Sequence, residues 1–119
     1  MKRILVVDDE PVVRALVEAS LADAYDVTSV ADGPGALRAI GARRPDLILL
    51  YVGLPGMSGR DVLRRLRAAP AGAGVPVLYL TGLEPAEDAG VQGVIRKPFT
   101  PASLRTAVAG CLAVPSHRP

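Results

Sequence analysis

An alternation constrains this chain more than any other feature. Short apolar runs rich in branched residues take turns with longer amphipathic segments. The first run, Ile4-Leu5-Val6-Val7, is stopped by Asp8-Asp9-Glu10-Pro11 and reads as a strand buried on both faces. Residues 11–22 then carry Val12, Val13, Leu16, Ala19 and Ser20 at helical spacing, with Pro11 in the first turn and an acid before it as cap. A second strand at 25–30 ends at Asp32-Gly33, and a helix at 34–42 turns Leu37 and Ile40 inward. The most apolar strand, 47–52, is entered through Pro45-Asp46 and left through a Gly/Pro-rich loop at 53–59. A helix at 60–69 follows, with Val62, Leu63 and Leu66 on one side, Arg60, Arg64, Arg65 and Arg67 on a solvated side, and Ser58 as its cap. Strands at 75–80 and 91–96 come next. A last helix is capped by Thr100 and opened by Pro101, with Leu104, Val108, Cys111 and Leu112 on its core stripe. This pattern predicts an α/β fold, an open doubly wound parallel sheet with helices on both faces.

Composition removes most other classes. The chain has 119 residues, enough for one domain with its own core, and half of them are hydrophobic, which excludes disorder. A single cysteine, Cys111, and a single histidine, His117, exclude a disulfide scaffold, a Cys or His metal cluster and a Ser-His-Asp triad. No apolar run approaches the ~18 residues of a membrane span, and the N-terminus has no signal-peptide pattern, so a cytoplasmic location is expected. The 14 basic and 12 acidic residues nearly balance, and without aromatics interleaved among the arginines direct nucleic-acid binding is not expected. Lys2 and Lys97 are the only lysines among those 14, so an internal lysine needs a reason.

In open parallel sheets the functional site lies beyond the carboxyl ends of the strands, where the strand order reverses. The first strand delivers Asp8 and Asp9 there, the third Tyr51, the fourth Thr81 and the fifth Lys97. Phosphoryl transfer to a carboxylate needs a hard cation on oxygen ligands, with a cationic side chain and a hydroxyl to hold the transferred group. Asp8, Asp9, Thr81 and Lys97 are residues of those types, and the nucleophile is the missing part.

Four stretches in order, Ile4-Leu-Val-Val-Asp-Asp-Glu-Pro11, Pro45-Asp-Leu-Ile-Leu-Leu50, Leu54-Pro-Gly-Met-Ser-Gly59 and Lys97-Pro-Phe99, resemble the receiver domain of bacterial response regulators, the phospho-acceptor module of two-component signalling. The resemblance covers about residues 2–113, so a receiver domain is expected over 1–113 with 114–119 as a loose tail. It implies a flavodoxin-like fold with strand order 2-1-3-4-5. It assigns Asp8 and Asp9 to a Mg²⁺ site, the Gly53 backbone carbonyl to the same metal, and Thr81 and Lys97 to the phosphoryl group. It also implies a cis bond between Lys97 and Pro98.

Three departures from the family pattern stand out. The acceptor aspartate belongs at position 51, where this chain has Tyr51, a phenol with a pKa near 10 that is neutral at ordinary pH and fills the space of metal and phosphoryl group. The aromatic switch residue expected at position 94 is Val94. The connector between the fourth and fifth strands is short and holds Pro85, so the family's fourth helix is expected to be shortened or missing. The expectation is an atypical receiver, a pseudo-receiver, in which the Tyr51 ring packs into the pocket and its hydroxyl meets Lys97, Thr81 or an acid, while Lys97 pairs with Asp8, Asp9 or the Tyr51 oxygen. Tyr51 as a modified or ligand residue is a second reading. An ordinary receiver, phosphorylated by a histidine kinase and silenced by substitution at 51, is a third. A haloacid-dehalogenase-type phosphatase is remote, because Glu10 stands two after Asp8 where that family has a second aspartate. The implied role is non-enzymatic. Its partners are signalling proteins, a histidine kinase or an output domain, with no membrane, no required cofactor and at most weak Mg²⁺ binding.

Overall fold

Strand burial sorts the sheet before any topology is drawn. A computed structural model of the chain describes residues 1–82 and 90–113. β1 (Arg3–Val7), β3 (Leu47–Tyr51) and β4 (Val77–Thr81) are buried along nearly their whole length, whereas β2 (Asp26–Val30) and β5 (Gly93–Arg96) are partly exposed. Continuous apolar strands belong in the middle of a parallel sheet and mixed ones at its edges. The observed order is β2-β1-β3-β4-β5, all parallel, the flavodoxin-like order that the receiver resemblance implies.

Alternation along each strand divides the core in two. Leu5, Val7, Ile48, Leu50, Val77 and Tyr79 face one way and pack against α2 (Gly33–Ala42) and α3 (Gly59–Ala68). Ile4, Val6, Leu47, Leu49, Leu78 and Leu80 face the other way, against α1 (Pro11–Leu21) and α4 (Pro101–Ala113). The sheet is therefore covered on both sides and doubly wound. The connector of residues 83–89, read above as a shortened fourth helix, and the tail at 114–119 lie outside the described residues.

Local chemistry fixes the helix ends. Asp32 accepts from Gly35 N at 2.7 Å to open α2. Ser58 and Asp61 form a reciprocal capping box at α3, and Thr100 Oγ1 accepts from Ser103 N at 3.0 Å beside α4. Strand boundaries move by one or two residues from the sequence reading. β4 starts at Val77 and not at 75, because Pro76 has no N–H for the ladder, although its carbonyl accepts from Ile48 N.

Two assignments need correction. The core stripe of α1 is Val13, Val17, Ser20 and Leu21; Val12 is 79% exposed and Ala19 is exposed. The expected stripe held both adjacent valines, but neighbours in a helix point to different sides, and of the two only Val13 packs against the core. Arg67 does not belong to a solvated face. Its guanidinium is part-buried and donates to the carbonyls of Val75 and Gly90 at 2.7 Å each and of Gly72 at 3.2 Å. It ties the end of α3 to the turn before β4 and to the residue that leads into β5. Cys111 is half-buried against the α1/α4 layer, where burial pushes its thiol up.

Candidate functional site

The chain leaves β1 toward β2 on one side of the sheet, and β3 leads away to the other. A crevice opens at the carboxyl ends between them. Asp8 follows β1 directly and is fully buried. Its amide donates to Val30 O, and its own carbonyl accepts from the Arg14 guanidinium at 2.7 Å, so both sides of its backbone are pinned. Oδ1 accepts from Glu10 N at 2.9 Å, closing a tight turn into α1. Glu10 occupies the helix N-cap without a side-chain cap bond, which leaves its carboxylate free to turn over Asp8.

Lys97 reaches the same place from the end of β5. Its amide donates to Thr81 O, and the Lys97–Pro98 peptide bond is cis. The side chain is only 15% exposed. Nζ stands 2.7 Å from Asp8 Oδ2, 3.0 Å from Glu10 Oε1 and 3.5 Å from the centroid of the Tyr51 ring. Asp8 Oδ2 has no directed hydrogen bond, so the ammonium meets it as an ion pair. Burial pushes the Asp8 carboxyl above its usual range, and the Lys97 ammonium and Glu10 amide only partly offset that. A cation over the half-buried phenol ring adds attraction of ~1 kcal/mol.

The residues singled out from sequence divide clearly. Asp8, Tyr51, Thr81 and Lys97 all sit at the carboxyl ends of their strands, with Thr81 fully buried. Of the acids expected as alternatives beside Lys97, Asp8 pairs with it, whereas Asp9 is exposed and, among the described residues, pairs with no cation; Glu10 is the second acid at the ammonium. Lys97 engages the Tyr51 ring face where a contact with the phenol oxygen was one expectation. Gly53 is half-buried in the loop after β3, and Val94 is 41% exposed on the edge strand. Sequence reasoning missed Glu10 and Arg14. The signal for Glu10 was present in the Asp8-Asp9-Glu10 run before Pro11, since a turn there returns the third acid to the side of the first.

The loop after β3 is closed from below. Gly56 takes φ +72°, which favours glycine, and Gly59 N donates to Val52 O at 3.0 Å, seating α3 against the end of β3. Among the described residues no three His, Cys, Asp or Glu side chains gather as a metal-ligand set. Mg²⁺ asks for near-octahedral oxygen ligands at ~2.0–2.1 Å. Here an ammonium already lies against the one buried carboxylate, and a phenol ring lies on its other side.

Comparison with known proteins gives a consistent answer. The family model described as the response regulator receiver domain matches residues 4–109. The probable transcriptional regulatory protein TcrX of Mycobacterium tuberculosis is 41% identical over 104 residues, covering 82% of this chain and 44% of its own length. A putative response regulator from Chloroflexus aurantiacus superposes with TM-score 0.87 at 32% identity, over 95% of this chain and 98% of that one. The receiver domain of a sensor histidine kinase from Pseudomonas aeruginosa, solved with a magnesium ion in its active-site cleft, superposes with TM-score 0.86 at 34% identity, over 95% and 98%. The chain spans less than half the length of the curated relatives it matches.

Proposed function

The chain belongs to the response regulator receiver domain family of two-component signalling, and from that premise we propose that it is an atypical receiver that forms no aspartyl phosphate. Tyr51 stands at the acceptor position in this reading. The observation that carries it is the packing of the Tyr51 ring against Lys97 Nζ at 3.5 Å, in the crevice where a phosphoryl group would have to enter. A phenol near pKa 10 is a neutral hydroxyl at ordinary pH and a poor stand-in for a carboxylate nucleophile. Asp8 and Lys97, the groups that would orient metal and phosphoryl oxygen, are spent on each other. With the Lys97 ammonium against Asp8 and the Tyr51 ring beside it, the residues present do not fit a resident Mg²⁺.

The domain then works by protein contact and without turnover. Its partners are signalling proteins, among them a histidine kinase or an output domain, and regulation comes from partner binding that shifts a conformational population. The curated relatives are named as transcriptional and DNA-binding regulators, which favours transcription control in the cytoplasm as the setting. Among the described residues no helix is long and apolar enough to cross a membrane.

Intact mass after incubation with Mg²⁺ and an acyl phosphate donor tests the reading, with a Tyr51→Asp variant alongside. The unmodified chain is expected to gain nothing. A gain in the variant alone marks a receiver blocked only at position 51, the silenced form of the same domain. A phosphoryl group gained by the unmodified chain would overturn the proposal.

A further inference from the structure

Receiver chemistry would make this crevice a place for anions and a metal, but its charges are arranged around an ammonium. Three partners converge on one nitrogen: Asp8 Oδ2 at 2.7 Å, Glu10 Oε1 at 3.0 Å and the Tyr51 ring at 3.5 Å. One of them is a fully buried carboxylate oxygen aimed into the site without a directed hydrogen bond. A buried charge without a counter-charge is heavily penalised, so something cationic has to stand there. We infer that the site is a built ammonium cage whose permanent occupant is Lys97, a tethered cation that takes over the charge-balancing role of a divalent metal. The inference rests on the reading of Tyr51 as the residue in the acceptor place and deepens it. The domain has a self-contained, metal-independent site.

Geometry argues for this occupant over Mg²⁺. A metal bound to Asp8 at ~2.0–2.1 Å would lie within a few ångströms of Nζ, two like charges in a poorly solvated crevice. The ion would also lie against a ring face, which suits a soft, weakly hydrated cation better than a small one that keeps its waters. An ammonium is a compact positive charge that can be met from several sides at once, which is what two carboxylates and a ring face present: an ion pair with Asp8, a hydrogen bond to Glu10 and the face of Tyr51. Glu10 sits at the site through the turn that Asp8 Oδ1 closes with its amide, so the two carboxylates arrive together.

The test needs only the folded chain and cations. Thermal unfolding of the unmodified protein is expected to be the same in MgCl₂ as in NaCl of equal ionic strength. Lys97→Ala is expected to lower Tm by about 5–10 °C. Propylammonium, which replaces the deleted atoms, is expected to restore roughly half of that loss at concentrations well above its Kd, and tetraethylammonium, too large for the cage, to restore none. If Lys97→Ala does not fold, the unmodified chain still decides. In its NMR spectrum the Lys97 ε-methylene protons should be shifted upfield by the Tyr51 ring and should not move on addition of Mg²⁺. Mg²⁺-dependent stabilisation of the unmodified chain, displacement of those resonances by Mg²⁺, or a Lys97→Ala variant that is fully stable and indifferent to propylammonium would each overturn the inference. No arm contains a phosphodonor. Phosphorylation of the unmodified chain would sink the acceptor-position reading separately and leave these results standing.

Discussion

Enlarging Gly59 by one methyl group tests how the site is braced. Gly59 opens α3 directly beneath the end of β3, and its amide is bonded to Val52 O. A Cβ at this position would lie 2.4 Å from Tyr51 O, 2.8 Å from Val52 Cα and 3.0 Å from Tyr51 C. All three obstacles are backbone, so no side chain can swing away. Bringing the closest contact to 3.0 Å requires the helix start and the strand end to separate by about 0.6 Å. Overpacking of this kind costs ~1–3 kcal/mol, and a backbone obstacle puts the value toward the upper end. Alanine's better helix propensity returns ~0.5–1 kcal/mol. The net expectation is a loss of ~2 kcal/mol, or about 8 °C in Tm for a chain of 119 residues. Gly110 supplies the control, since it lies in α4 with nothing within 4 Å of its Cβ. Gly110→Ala has only the propensity term and is expected to gain ~0.5–1 kcal/mol, about 2–4 °C. Urea unfolding of both variants, fitted to two states, gives the two signs directly. A Gly59→Ala protein as stable as the original would refute the reasoning and mean that α3 is not seated on the Tyr51 carbonyl.

Two further outcomes follow from buried charge. Arg67→Met keeps the aliphatic stem but leaves the carbonyls of Val75 and Gly90 without their guanidinium; a loss of ~1.5–3 kcal/mol is expected, with amide exchange accelerating around residues 72–75, and unchanged exchange there would count against the clamp. Burial holds the folded Asp8 pKa above its ordinary 3.8, so the native state binds the proton more tightly than the unfolded chain. The stability of the unmodified chain relative to Asp8→Asn should therefore fall as pH rises from 3.8 through the folded Asp8 pKa, and be flat above it. Asp61, held below its usual value by Arg64, acts with the opposite sign but is common to both proteins and cancels. A difference that grows in favour of the unmodified chain across that window in urea midpoints would contradict the assignment.

What was legible in the sequence was set by period and by stop signals. Four apolar residues ended by two acids can be little other than a buried parallel strand, and the alternation with amphipathic segments left few topologies. The four residues at the strand ends could be placed because a strand's end is its most local property. Helix phase was less secure: Val12 and Val13 are equally apolar, and only packing against Val17 and Leu21 selects the second. Long side chains were least legible. Arg67 shares its spacing with the exposed Arg64 and differs from it in a fact that sequence does not carry, the nearness of carbonyls from residues 72, 75 and 90. Glu10 was read as a helix cap because caps are local, yet its carboxylate answers a lysine 87 residues away.

The identity of position 51 and the pairing of Lys97 are one question of charge. A carboxylate at 51 would stand beside Asp8 and Glu10 with a single ammonium facing three negative groups, and such a cluster calls for a divalent cation. A phenol removes one of those charges and offers a ring face in its place. Lys97 then answers two carboxylates, one of them open to water, and the demand for a second positive charge falls away. On the proposed reading, the substitution that takes away the nucleophile also takes away the reason for the metal. The same logic accounts for a lysine here in a chain whose only other lysine is Lys2. A compact ammonium can meet two carboxylate oxygens and a ring centroid within 3.5 Å, whereas a planar guanidinium would stack on the ring and turn its donors edgewise, away from one carboxylate or the other.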